Sequence, residues 1–106
     1  MNDNPCVVMT TAGTEDEAEQ LAEAIVEAGL AACVQVQHVR SFYKWDGAMQ
    51  RSPEWLLMAK THSGRFPALA AFIRERHSYE TPEVLQLPVT AGSSDYLAWL
   101  RTATQG

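Results

Sequence analysis

Cys33-Val34-Gln35-Val36-Gln37-His38-Val39-Arg40-Ser41-Phe42-Tyr43-Lys44-Trp45-Asp46-Gly47-Ala48 decides the fold of this chain. Val34 and Val36 alternate with Gln35 and Gln37, the period of two expected where successive side chains point to opposite faces of a strand. The phase slips near His38-Val39, which predicts a bulge or bend. Val39, Ser41, Tyr43 and Trp45 then share one face. Asp46-Gly47 marks a hairpin turn, because Gly accepts positive φ without a Cβ clash. Ala48 onward returns as a strand. Pro53 lacks an amide hydrogen and fits an edge or a bulge. Trp55-Leu56-Leu57-Met58-Ala59 is apolar throughout and reads as a central strand covered on both faces. Arms from Ala31 to Trp45 and from Ala48 to Thr61 far exceed the usual ~5–6 residues of a strand. Such a ribbon outgrows a small core, and its Phe42, Tyr43 and Trp45 call for a partner surface.

Working outward, Val7-Val8-Met9 before Thr10-Thr11 reads as a first strand. Thr14-Glu15-Asp16-Glu17 has the form of a capping box, with acidic residues suited to the positive end of a helix dipole. Ala18, Leu21, Ala22, Ile25 and Ala28 follow at helical spacing, and Gly29 with Leu30 behind it reads as a left-handed C-cap. The spacing predicts a helix over Thr14 to Ala28. Phe66, Leu69, Ala70 and Ile73 define a second helix with Pro67 in its first turn and Arg74, Arg76 and His77 in its last. Pro82 forces Thr81 to be extended. Val84 to Val89 reads as a fourth core strand, and Gly92-Ser93-Ser94-Asp95 opens a short helix carrying Tyr96, Leu97 and Leu100. The order β-α-β-β-α-β predicts an α+β, ferredoxin-like antiparallel sheet with two helices on one face, an extended β-hairpin and a short C-terminal helix.

The chain has 106 residues, the size of a single domain spanning 1–106. Hydrophobic residues make up 46% and charged residues 20%, a globular balance that argues against disorder. The net charge of −5, with eight Lys and Arg, suits a phosphate backbone poorly, so nucleic acid is not an expected partner. No apolar run approaches the ~20 residues of a spanning helix, so no membrane partner is expected. Met1-Asn2-Asp3-Asn4-Pro5 lacks the basic and apolar regions of a secretory leader, and a cytosolic location follows. Cys6 and Cys33 form no C-x-x-C pattern and are expected as thiols.

Leu30-Ala31-Ala32-Cys33-Val34, Tyr43-Lys44-Trp45-Asp46-Gly47, Leu57-Met58-Ala59-Lys60-Thr61, Phe66-Pro67-Ala68-Leu69 and His77-Ser78-Tyr79-Glu80-Thr81-Pro82-Glu83 resemble the CutA family of divalent-cation tolerance proteins. Leu87-Pro88-Val89 and Tyr96-Leu97-Ala98-Trp99 extend the likeness over nearly the whole chain. The resemblance implies a cytosolic homotrimer whose hairpins wrap neighbouring subunits, a role in copper and divalent-metal tolerance, and no established catalysis. It implies His77 and Cys33 as metal ligands, and Trp45, Lys60, Tyr79 and Glu83 as the lining of an inter-subunit cleft. It also brings a second reading, a trimeric sensor like the PII signalling proteins that binds a small anionic ligand in those clefts. Thr10 and Arg76 stand where some bacterial members carry a cysteine and a second histidine for copper.

Each candidate has a plainer use. His77 serves either a metal, through its neutral imidazole, or the end of the second helix, and no histidine at i, i+4 accompanies it. Cys33 is a soft donor suited to copper(I) or a small buried strand residue. Glu80 and Glu83 make a hard oxygen site or a solvated loop, with Glu83 paired across subunits. Tyr43, Trp45 and Tyr79 stack a planar ligand or pack on a neighbour. No nucleophile lies at recognisable spacing from a base, so no catalytic residue is assigned and no enzyme is expected. No resident cofactor is expected either; copper or another divalent cation is the ligand class the resemblance brings. His38 and His62 receive no role.

Overall fold

Pro5–Ala12 forms β1, Cys33–Trp45 β2, Ala48–His62 β3 and Leu85–Pro88 β4 in the computed structural model, which describes residues 3–105. The helices are α1 (Glu15–Glu27), α2 (Phe66–Arg76) and α3 (Ser94–Thr104). Met1 and Asn2, part of the stretch read as leaderless, lie outside the described residues, as does Gly106. The strands make one antiparallel sheet in the order β2-β3-β1-β4. This is the ferredoxin-like arrangement that the sequence predicts.

The core forms where one face of the sheet meets α1 and α2. Val8 and Ala12 of β1 and Leu57 and Ala59 of β3 pack with Leu21 and Ile25 of α1 and Leu69 and Ile73 of α2. Helix α1 is locally encoded at both ends. Thr14 Oγ1 accepts the Glu17 amide at 3.1 Å. At the other end Gly29 takes φ +73°, and Leu30 donates its amide to the Ile25 carbonyl at 3.1 Å. That pattern is a Schellman closure, and the buried Leu30 returns to the core beside Ile25.

The hairpin turn has Asp46 at φ +51° and Gly47 at φ +76°. Positive φ at both central residues gives a type I′ turn, whose twist matches the strands it joins. From Trp45↔Ala48 to Cys33↔Lys60 the register never changes. The bulge expected near His38-Val39 is therefore absent. The apolar face changes there because the ribbon leaves the helices: His38 pairs with Trp55, and the first buried residue of β3 is Leu57. Pro53 is tolerated because β1 pairs with β3 only from Trp55 to His62, leaving one side of β3 beyond it unpaired.

Two other expectations need correction. Trp55-Leu56-Leu57-Met58-Ala59 is central, but only Leu57 and Ala59 are buried; Leu56 and Met58 point to the opposite face and are half-buried. The fourth strand is short and lies at the sheet edge, with all four residues exposed, and only the preceding Val84 packs on the core. Leu85 and Leu87 face outward beside Met9 and Val7. Helix α3 lies at one end of that outer face, where the Lys60 ammonium sits 5.8 Å from the centroid of the Tyr96 ring.

The cap and the core differ in weight. In chemical denaturation Thr14→Ala loses ~1 kcal/mol, because one amide loses its cap. Leu57→Ala loses ~2–5 kcal/mol, because it leaves a cavity between sheet and helices. Equal losses from the two variants would contradict this placement of the core.

Candidate functional site

The stretch from His77 to Glu83 begins where α2 stops, since His77 has extended backbone at φ −81°, ψ 142°. Its side chain is fully buried. Nε2 lies 2.5 Å from the Thr11 carbonyl oxygen, and Nδ1 receives the Tyr79 amide at 3.0 Å. A carbonyl only accepts and an amide only donates, so Nε2 carries the hydrogen and Nδ1 supplies the lone pair. Both ring nitrogens are thus spent on backbone.

Glu17 joins this arrangement from α1. The sequence reads it as half of a capping box, but its carboxylate crosses to Ser78, accepting the amide at 2.9 Å and the hydroxyl at 3.0 Å. Burial alone would raise its pKa, but the two Ser78 hydrogen bonds, with His77 nearby, outweigh burial and lower it. The loop is therefore tied to β1 through Thr11 and to α1 through Glu17.

Tied down in this way, the loop forms one wall of a cleft of about 700 Å³. The ribbon contributes Tyr43, Trp45, Gln50 and Glu54; the loop contributes Tyr79, Glu80, Thr81 and Glu83; Thr11 lies between them. The Tyr79 hydroxyl donates to Glu54 at 2.8 Å. Burial first, then the Glu54 hydrogen bond and charge, push that phenol up to about 12. Gly13 makes room for the ring, since a Cβ there would stand 3.0 Å from the Tyr79 oxygen. Tyr43 shares a hydrogen bond with Ser52 at 3.1 Å. Three carboxylates line the cleft, and no Lys or Arg does. The arrangement attracts cations and repels anions.

Of the residues expected in a cleft, the structure brings together Trp45, Tyr79 and Glu83 within one chain. Lys60 lies elsewhere, against Tyr96. His77 and Cys33 do not meet: His77 contacts Thr11, which pairs with Leu56, whereas Cys33 pairs with Lys60. Cys33 is a half-buried free thiol. Among the described residues no group of three or more His, Cys, Asp or Glu is placed to hold a metal ion. Thr10 faces the core, and the Arg76 guanidinium lies 3.7 Å from the Phe72 ring centroid. Cys6 is not at a frayed end but in the core, and burial, with the Asp3 charge, pushes its thiol up to about 11. Sequence reasoning missed Thr11, Gly13, Gln50 and Glu54. Only Gly13, a break directly after a strand, carried a readable signal.

Comparison with known proteins settles the family. The model of the CutA1 divalent ion tolerance proteins matches residues 6–103. This chain belongs to the CutA1 family. It is 40% identical over 99 residues to the divalent-cation tolerance protein CutA of Thermus thermophilus, covering 92% of this chain and 96% of that one. It is 43% identical over 96 residues to human Protein CutA, covering 90% of this chain but 54% of the human protein, so it spans about half of that relative's length. Among solved structures, CutA from Synechococcus elongatus superposes with a TM-score of 0.93 at 41% identity, covering 99% of this chain and 93% of that one. The periplasmic divalent cation tolerance protein CutA from Archaeoglobus fulgidus gives 0.93 at 30% identity, covering 95% and 99%.

Within this CutA1 cleft the raised phenol is directly testable. Glu54→Gln removes the charged acceptor, so the Tyr79 titration, followed by phenolate absorbance, falls from about 12 toward the ordinary value of 10. A titration unmoved by the substitution would show that Glu54 has no hold on the ring.

Proposed function

We propose that this chain acts in divalent-cation tolerance as a homotrimer, gathering cations in its acidic cleft rather than sequestering them in a tight metal centre. The observation that carries this reading is the lining of the cleft, with Glu54, Glu80 and Glu83 and no Lys or Arg. Carboxylates without counter-charges raise the local concentration of cations, and hydrated divalent ions need no assembled ligand set for that. Family membership supports the divalent character of the cation. We assign His77 the role of fixing the loop, since its lone pair already accepts the Tyr79 amide. Cys33 remains the soft donor for copper(I). The lining disfavours a small anionic ligand in this cleft unless a neighbouring copy supplies cations.

The trimer reading rests on apolar side chains that one chain leaves uncovered. Trp45 and Met49 near the ribbon tip are 68% and 65% exposed, and Leu85 on β4 is 54% exposed. Faces of this kind are covered by assembly. The two free cysteines support a reducing compartment, and the cytosol is the location we propose. Neither nucleic acid nor a membrane is part of this reading; among the described residues no helix is long and apolar enough to cross one.

Light scattering at micromolar concentration should return three times the 11.7 kDa chain mass. Trp45→Ala should loosen assembly, since truncating a buried interface aromatic costs about 2 kcal/mol or more. A monomer with native-like melting would refute the trimer. Isothermal titration of the assembled protein with copper(II) should give micromolar or weaker affinity, lowered by about tenfold in Glu80→Gln/Glu83→Gln, because few ligands of matched softness converge. Nanomolar binding that survives this double substitution would place the metal elsewhere.

A further inference from the structure

His62, the last residue of β3, has an environment opposite to that of His77. It is 8% exposed, and its Nδ1 is bonded to the Asp3 carboxylate. The same Asp3 oxygen accepts the Gly64 amide at 2.9 Å. The Gly64 hydrogen bond first, then His62, hold the Asp3 carboxyl below its ordinary range, so it is ionised and Nδ1 carries the hydrogen. Nε2 is buried and has no hydrogen-bond partner among the described residues. A buried polar atom without a partner costs stability, and few survive in folded proteins without a use.

His62 lines a pocket of about 290 Å³ between β1, β3 and α3. Pro5, Leu97, Ala98 and Leu100 give it apolar walls, and Arg101 supplies its charge. The Arg101 guanidinium donates to the Asp3 carbonyl at 2.9 Å and lies 3.6 Å from the Asp3 carboxylate. A guanidinium has five N–H donors in a fork that matches a carboxylate, so donors remain beyond those contacts. With His62 neutral, Asp3 and Arg101 cancel. Adding one proton to Nε2 makes the pocket singly positive, and a carboxylate restores neutrality.

We propose that this pocket binds a small monocarboxylate with a short apolar tail, held by His62 and Arg101 with uptake of one proton. The carboxylate accepts from the His62 Nε2–H and from Arg101, while the tail lies against Leu97 and Leu100. A metal ion fits poorly, since the Arg101 charge opposes it and no second ligand stands by. An organic cation meets the same opposing charge. The charged groups near His62 are Asp3 from the N-terminal segment, Arg101 from α3, Arg65 bonded to the Thr104 carbonyl, and Lys60 two positions back on β3. None but Asp3 is an acid, so the site needs an acidic ligand to balance an imidazolium. This pocket is separate from the acidic cleft, and its occupancy does not depend on the cation reading of that cleft.

The test is calorimetry and methyl NMR on the assembled wild-type protein, with butyrate and benzoate as probes, and butyramide and butylammonium as shape-matched controls. Butyrate should bind saturably, shift the Leu97 and Leu100 methyls, and take up one proton, read from heats in buffers of different ionisation enthalpy. Its affinity should fall by about tenfold per pH unit on the alkaline side of the imidazole titration, because one proton is bound with each ligand. His62→Gln and the half-exposed Arg101→Gln should each weaken binding by about tenfold, and the stacked, exposed His38→Gln should not change it. Absence of saturable binding, equal binding of butylammonium or butyramide, or affinity indifferent to pH and to both substitutions would each overturn the proposal.

Discussion

The helix layer is too short for the sheet it covers. Helices α1 and α2 bury β3 only from Leu57 onward, yet β3 begins at Ala48. A type I′ turn at Asp46-Gly47 fixes the register along the whole ribbon, so the uncovered part cannot slip back over the core. Its aromatic face is left to find other contacts. Near the tip that face supplies Tyr43 and Trp45 to the cleft; on the outer surface Leu85 and Leu87 remain uncovered in the single chain. Site and assembly both follow from one over-long strand pair.

The parts of the fold that were legible in sequence are those encoded by neighbours in the chain. Thr14 and Gly29 mark the ends of α1 because a cap and a Schellman closure are built within one turn. Asp46-Gly47 announces its turn for the same reason. The false bulge near His38 arose where hydrophobic phase was taken as backbone geometry. Phase records which face is covered, and coverage changes there although the ladder does not. Strand β4 failed for a related reason: Val84, Leu85, Leu87 and Val89 have the composition of a core strand, but their place at the edge is a property of the sheet.

The candidate site was half legible. Trp45, Tyr79 and Glu83 meet in the cleft, but Thr11, Gln50 and Glu54 arrive by strand register, which no local pattern reveals. The histidines show the limit more sharply. His77 stands in a dense polar stretch that invites a ligand reading, yet its nitrogens are consumed by Thr11, 66 residues away, and by Tyr79. His62 stands in an unremarkable Thr-His-Ser run, yet Asp3, 59 residues away, fixes its tautomer and leaves Nε2 unpartnered. Chemical availability of an imidazole depends on what the other nitrogen touches, and in both cases that contact is made across the fold.

The two sites lie at opposite ends of β1. Thr11 lines the acidic cleft, and Pro5 lines the pocket that carries His62 and Arg101. Six residue steps along a strand separate these positions by about 20 Å. That is more than twice the Debye length of about 8 Å at physiological ionic strength. The cleft carboxylates are reached by solvent, so their field at the pocket is largely screened. An anion at one end of β1 and cations at the other therefore do not compete, although the chain's net charge of −5 disfavours anions overall. Local charge balance governs each site, and the strand keeps them far enough apart for that to hold.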